Sequence, residues 1–521
     1  MKIENLTNRV LTIITGIVLL ILVGIHVNVN IFHYTSRMDA DLASEALITT
    51  EIADNSFDTP DTWVSSTGDK LVSAPNIGAV FYKITGNMNL SIGIACSLFM
   101  MILIGLMIVY FRQLEFGWYE IFTVLIVLFS VFNVESELQS ALFLWADYYI
   151  FYFISLYLML IFYNKGLKEG KLSIWIWAIS LLLATINGME AIHASVFCYL
   201  PLLGVEIVRQ LWSVIRKKSF EWHLLALFFC TAVISVGIPM LSAAYGTDSG
   251  RNIRRAGEKF VTEVWPAMGS IVYFGVVPAV VWCLCAFAVI GYLLALINIY
   301  KETVKSDNDV DEDNNIILWG TLVPVAVITM VVLALTFTVR EVAPRYFFPE
   351  FFILATGVGL FMKLVYRQYI AKIKVSALVA VMVVILGIMA GRYYYTELIA
   401  GDNSSNSDEM KIAEWMQDKG YEYGYTIFDN ANTITVISNN AVKIRAVNNM
   451  KDMEGCKWLS DVTWYPPTKS TEGATVYLVS ESAKFDFDAF LKERNPVIVD
   501  SCEIGRYMVY VLDHDYTVWV D

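Results

Sequence analysis

The stretch HYTSRMDADLASEALITTEI, residues 33–52, follows directly on the first long apolar run and carries Asp39, Asp41, Glu45 and Glu51. Four carboxylates this close to a membrane-length segment must face water, a cation or a reactant. The run before them, MKIENLTNRVLTIITGIVLLILVGIHVNVNIF, is too long for a signal-peptide core, and no small-x-small cleavage site follows it. It is expected to be a first membrane span that stays in place, with the acidic stretch emerging from it.

The rest of the chain supports a membrane reading. Of 521 residues, 57% are hydrophobic and 17% charged, too little polar material to cover a soluble protein of this length. Mean hydropathy is +0.56. A net charge of -13, with no basic patch interleaved with aromatics, argues against nucleic acid. The aromatic share of 14% suits Trp and Tyr at membrane interfaces. Seven cysteines show no metal-type spacing, and five of them (Cys96, Cys198, Cys230, Cys283, Cys285) lie in apolar stretches as small core residues.

Further runs long enough to cross the hydrocarbon lie near 90–111, 118–133, 141–163, 172–188, 191–209, 223–245, 269–299, 316–338, 347–366 and 375–395, giving about eleven spans in all. Alternate connections are basic: Arg112; Lys165, Lys168 and Lys171; Arg209, Arg216, Lys217 and Lys218; Lys301 and Lys305; Arg367, Lys372 and Lys374. The positive-inside rule makes these cytoplasmic, together with Lys2 and Arg9. Segments 33–89, 134–140, 188–190, 246–268, 339–346 and the chain after about 396 are then external. The expected architecture is an α-helical polytopic membrane domain, 1–396, whose first external loop spans 33–89. A small extracytoplasmic α/β domain, 397–521, follows it. In that tail MKIAEWMQDKG and KFDFDAFLKER read as helices. YGYTIFD, VKIRAV, ATVYLVS, NPVIVDS and RYMVYVL read as strands. Cys456 and Cys502 could pair in an oxidising compartment.

Four groups of residues could carry chemistry. Asp39 and Asp41 begin a segment of helical spacing; a carboxylate there suits a general base or a cation ligand, and equally an N-cap favoured by the helix dipole. In VREVAPRYFFPEFF, residues 339–352, Arg340 and Arg345 with Tyr346 stand on the external side, where they could hold a lipid phosphate or pair with Glu341 or Glu350. Arg251, Arg254, Arg255 and Lys259 form an external basic cluster, three of them four residues apart; it suits an anionic head group or simply balances the acidic first loop. Glu135, Glu137, Asp147, Glu190 and His193 lie at external helix ends. Glu190 and His193, three apart on one helix face, are possible ligands of a divalent metal.

Together these features resemble the GT-C superfamily of membrane glycosyltransferases, in the branches of the protein O-mannosyltransferases and lipid A aminoarabinose transferases. The carrying residues are Asp39-Ala-Asp41 after the first span, Glu51-Ile52, the stretch Ser73-Ala-Pro75 through Tyr82, and Arg345-Tyr346-Phe-Phe-Pro349 before a late span. Here the acid pair is split by Ala40. Asn187-Gly188 stands where the family has Lys-Gly, and Ser73 and Ala74 stand where a basic residue often precedes proline. The resemblance implies inverting transfer of a sugar from a polyprenyl-phosphate donor to an acceptor (protein, wall polymer or lipid) at the outer face of the cell membrane. Asp41 or Asp39 would be the base. Arg345, with Arg340, Tyr346, Arg251 and Arg255, would hold the donor phosphate. A divalent cation (Mg, Mn or Zn) on Glu135, Glu137, Glu190 and His193 could share that charge. The resemblance also implies that the early acids and the late arginine meet around one external cavity. A multi-pass transporter and a non-catalytic surface-assembly protein are the alternatives.

Overall fold

The computed structural model describes residues 2–65, 70–131, 133, 142–145, 147–190, 192–216, 220–241, 256–266, 278–305, 312–338, 344–368, 372–465 and 473–518. The chain forms two compact units. One comprises Met1–His26, Leu98–Phe143 and Asp147–Tyr395; the other comprises Val27–Ser97, Leu144–Ala146 and Thr396–Asp521.

The first unit is helical. Nine helices among the described residues of the chain are long and apolar enough to cross a membrane, and Trp118–Ser130 and Ile174–Glu190 are shorter apolar helices. They fall where the sequence places its spans. At 13 residues, Trp118–Ser130 reaches only about 20 Å at 1.5 Å per residue. From Tyr119 to Ser130 every residue except Phe122 is buried, so it is a helix enclosed by protein. Helices Pro278–Lys305 and Phe348–Gln368 pack closely through small residues: a Cβ on Gly291 would stand 2.2 Å from the Gly357 carbonyl oxygen. The span expected at 141–163 is observed as Ile150–Glu169. Trp145 and Asp147 adopt left-handed backbone, φ 55° and 48°, which no α-helix can continue through.

The second unit joins the segment after the first span to the tail. Helix α1, Ala40–Asp54, is capped by Asp39, whose Oδ1 accepts from the Leu42 amide at 2.8 Å. Helix α2, Ala74–Thr85, starts at Ser73 with Pro75 in its first turn and stops at Gly86 in left-handed backbone, φ 65°. A two-stranded ribbon pairs β1, Trp63–Val64, with β4, Ser460–Asp461. The main sheet holds β2 (Tyr423–Ile427), β3 (Lys443–Val447), β5 (Thr475–Ser480), β6 (Ile498–Ile504) and β7 (Tyr507–Leu512), in the order β3-β2-β5-β7-β6. The β3-β2-β5 pairs are parallel and the β5-β7-β6 pairs antiparallel.

Alternation along the strands splits the core in two. Val476, Leu478, Val509 and Val511 face helices α3 (Asp408–Lys419) and α4 (Phe428–Ile437). Tyr477, Val479 and Leu512 face helix α5 (Lys484–Arg494) through Phe487 and Phe490. Both predicted tail helices and all five predicted strands are present. Helix α4, FDNANTITVI, is an addition that the sequence pattern does not assign. Cys456 and Cys502 are separate free thiols that pack on the α3–α4 side of the sheet.

Candidate functional site

Helix α1 is buried along most of its length. Ala43, Ala46 and Ala53 are buried, and small side chains on several of its faces let α2 and α4 of the same unit pack against it. Asn432 of α4 donates to Ser44 Oγ at 2.8 Å. Within the helix only Asp41 in the first turn and Asp54 at the end are exposed, as is the capping residue Asp39. The two acids of the opening motif therefore differ. Asp39 commits an oxygen to closing the helix start, whereas Asp41 projects from the first turn, where a carboxylate is favoured by the amide dipoles.

One turn further on, Glu45 is buried and its Oε1 stands 3.2 Å from Lys70 Nζ. Both line a small cleft of 30 Å³ with Trp63, Pro75 and Asn76. Ser73 fixes the far wall: its hydroxyl donates to Asn76 Oδ1 at 2.5 Å. The Ser73-Ala-Pro75 stretch is thus a helix start beside a carboxylate–ammonium pair. Lys70 carries no signal in the sequence pattern; only the fold brings it to Glu45. Tyr82 packs against Ile52 and Ala53, and burial, followed by the Asp54 charge, pushes its hydroxyl above the usual phenol range.

The remaining expected residues belong to the first unit. Arg345 and Tyr346 lie in a 3-10 turn, Pro344–Phe347, that leads into the helix Phe348–Gln368, and Tyr346 is half-buried. Arg340, Arg251, Arg255, Glu135 and Glu137 lie outside the described residues. Lys259 of the basic cluster stands 3.8 Å from Glu263, four residues on. Glu190 is buried as the last residue of its helix, and Ile192 is a bend, so Glu190 and His193 do not share the face of one continuous helix as their spacing suggests. His193 instead joins an aromatic group, stacked on Tyr152 at 6.1 Å and edge-on to Tyr149 at 5.8 Å. Among the described residues no three His, Cys, Asp or Glu side chains are grouped to hold a metal.

No family model matches the chain, and no curated protein matches it. Among solved structures it is similar to ArnT from Cupriavidus metallidurans bound to undecaprenyl phosphate. That likeness has a TM-score of 0.52 at 12% identity and covers 95% of this chain and 98% of that one. At such identity the likeness is one of fold. Taken with the apolar helices and the small sheet domain, it identifies the chain as a multi-pass membrane protein with the fold of the GT-C membrane glycosyltransferases.

Proposed function

We propose that the protein is an inverting glycosyltransferase that takes a sugar from a polyprenyl-phosphate donor at the outer face of the membrane. The observation that carries the reading is an exposed acid, Asp41, in the first turn of a well-seated helix directly after the first span of a GT-C fold. A solved protein of similar fold is bound to undecaprenyl phosphate, which supports that class of donor.

In this reading Asp41 takes the proton of an acceptor hydroxyl or amine. The freed electron pair forms a bond to the anomeric carbon. The bond from that carbon to the phosphate oxygen breaks, with inversion, and its electrons leave on the polyprenyl phosphate. Arg345 is the residue proposed to meet that developing charge, with Tyr346, Arg340, Arg251 and Arg255 in support. A divalent cation would share the same task, and Glu190 and His193, with Glu135 and Glu137, are the side chains proposed to hold it. With the tail, the external loops would form the working side of the protein.

Purified protein incubated with polyprenyl-phosphate sugars is expected to release free polyprenyl phosphate. Asp41→Asn should reduce that release by about 100-fold or more while leaving insertion and folding intact. Wild-type turnover in Asp41→Asn would remove the base assignment. Failure of any donor of this class to be cleaved would remove the transferase reading. Arg345→Ala is expected to raise the KM for the lipid donor by about tenfold or more; an unchanged KM would take the phosphate role from it.

A further inference from the structure

The edge strand β3 reads KIRAV. Its period of two sends Ile444 and Ala446 into the core with α3 and α4, while Lys443, Arg445 and Val447 take the opposite face. Arg445 is only 6% exposed. Its guanidinium lies 3.6 Å from the ring centroid of Trp464, which Trp63 backs edge-on at 5.7 Å. Arg445 Nη1 is buried and has no hydrogen-bond partner among the described residues. A cation held out of water with an unused donor is costly unless an anion meets it.

Arg445 lines a cavity of 340 Å³, within the size range of small-molecule sites. Its other walls include Glu51 and Asp54 of α1, Tyr423, Lys443 and Trp464, all within the second unit. Two cations and two carboxylates thus look into one polar space. Asp54 already stands 2.8 Å from Lys83, and Lys443 Nζ lies 3.5 Å from the Tyr423 hydroxyl. Glu51 is half-buried; burial pushes its carboxyl above the usual range, with Arg445 pulling the other way.

This arrangement selects among anions. A dianionic phosphate would set its second charge against Glu51 and Asp54. A single carboxylate flanked by hydroxyls leaves one charge for Arg445 and gives the two wall carboxylates donors to accept from. We propose that this cavity is a recognition site for a hydroxylated monocarboxylate of the hexuronate class. Its carboxylate is held by Arg445 and Lys443, and its hydroxyls are read by Glu51. Asp41 and Glu51 are ten residues apart on one helix, roughly 15 Å at its rise per residue. The cavity is therefore separate from the proposed base, and its occupancy does not depend on the transferase reading.

The full-length detergent-solubilised protein is titrated with D-glucuronate, followed by calorimetry and by tryptophan fluorescence, since Trp464 forms a wall. Saturable binding is expected. D-glucose, which lacks the carboxylate, should bind about tenfold more weakly or worse, and inorganic phosphate should not displace glucuronate. Arg445→Gln abolishes binding. Should that variant fail to elute as a folded species, Lys443→Gln, at a half-buried position, carries the test with a several-fold weaker affinity. Absence of saturable glucuronate binding, equal affinity for glucose, or unchanged affinity in Lys443→Gln overturns the site. Displacement by phosphate at lower concentration than glucuronate overturns the ligand class.

Discussion

Asp39 and Asp41 are two residues apart and of one chemical type, yet α1 gives them different work. Because Asp39 closes the helix start through the Leu42 amide, Asp39→Ser keeps an acceptor there and is expected to retain both stability and turnover. Asp39→Ala should cost about 1 kcal/mol of stability, a typical loss for an N-cap. Asp41→Ser should remove turnover while the protein still folds. Thermal unfolding and donor cleavage measured on the three variants separate capping from catalysis, and a turnover loss in Asp39→Ser would reverse the assignment.

Glu51 supplies a pH signature. Its pKa is raised in the folded state, chiefly by burial. Between the ordinary carboxylate value and that raised one, the folded protein binds more protons than the unfolded, so stability falls as pH rises through this window. Glu51→Gln removes the penalty. It should raise the unfolding midpoint at pH 7 by a small amount and leave it unchanged below pH 4.5, the unperturbed value. An equal shift at both pH values would contradict the cause given.

At the level of elements, the β6–β7 hairpin turns at Gly505 with φ 56°, and a Cβ there would stand 1.9 Å from the Asp408 carboxyl carbon. The neighbouring Arg506 amide donates to Asp408 Oδ2 at 3.0 Å, and Arg506 Nη2 meets Glu409 at 2.7 Å, which ties the turn to the start of α3. Gly505→Ala meets both the steric block and the positive φ. It is expected to destabilise the tail by about 1–3 kcal/mol, read as a lower unfolding midpoint with membrane insertion unaffected. A neutral result would mean the turn relaxes without loss.

Elements were legible in the sequence where one rule dominated. The strands of the tail alternate in twos, so β5 and β7 declare themselves. Helix α4 does not, because Thr433, Ile434, Thr435, Val436 and Ile437 have the composition of a strand. Packing against α1 and β3 overrides that preference, with every residue from Asn430 to Ile437 buried. The break at Trp145 and Asp147 was equally hidden, since nothing in LFLWADYY marks two left-handed residues. Arg445 stood in a correctly read strand, but its burial against Trp464 depends on a turn some twenty residues later. No local pattern contains that contact.

For the whole molecule, hydropathy alone placed the spans, because the hydrocarbon thickness fixes a length that no other constraint competes with. The alternation of basic loops carries the proposed orientation, and it can be checked directly. In a Cys502→Ser background, Asp418→Cys on the exposed face of α3 should react with a membrane-impermeant maleimide on intact cells. Arg216→Cys, in an expected cytoplasmic connection, should react only after permeabilisation. Labelling in the reverse pattern would invert the topology and with it the side on which any transfer takes place.

Several bonds tie the stretch after the first span to the tail. His33 Nδ1 meets Asp402 at 2.7 Å, the Thr35 hydroxyl donates to Ser404 at 2.9 Å, and Thr62 donates to Asp461 at 2.8 Å beside the β1–β4 ribbon. Chimeras between this protein and a relative of the same fold must respect that stitching. Exchanging residues 396–521 alone would leave α1 against a foreign α4, with the Ser44–Asn432 bond and both ribbon partners mismatched. Transplanting 27–97 and 144–146 along with the tail moves the stitched block as one piece, since the Trp145 amide donates to Asn30 Oδ1 at 2.9 Å, and only that graft should yield hybrids that mature.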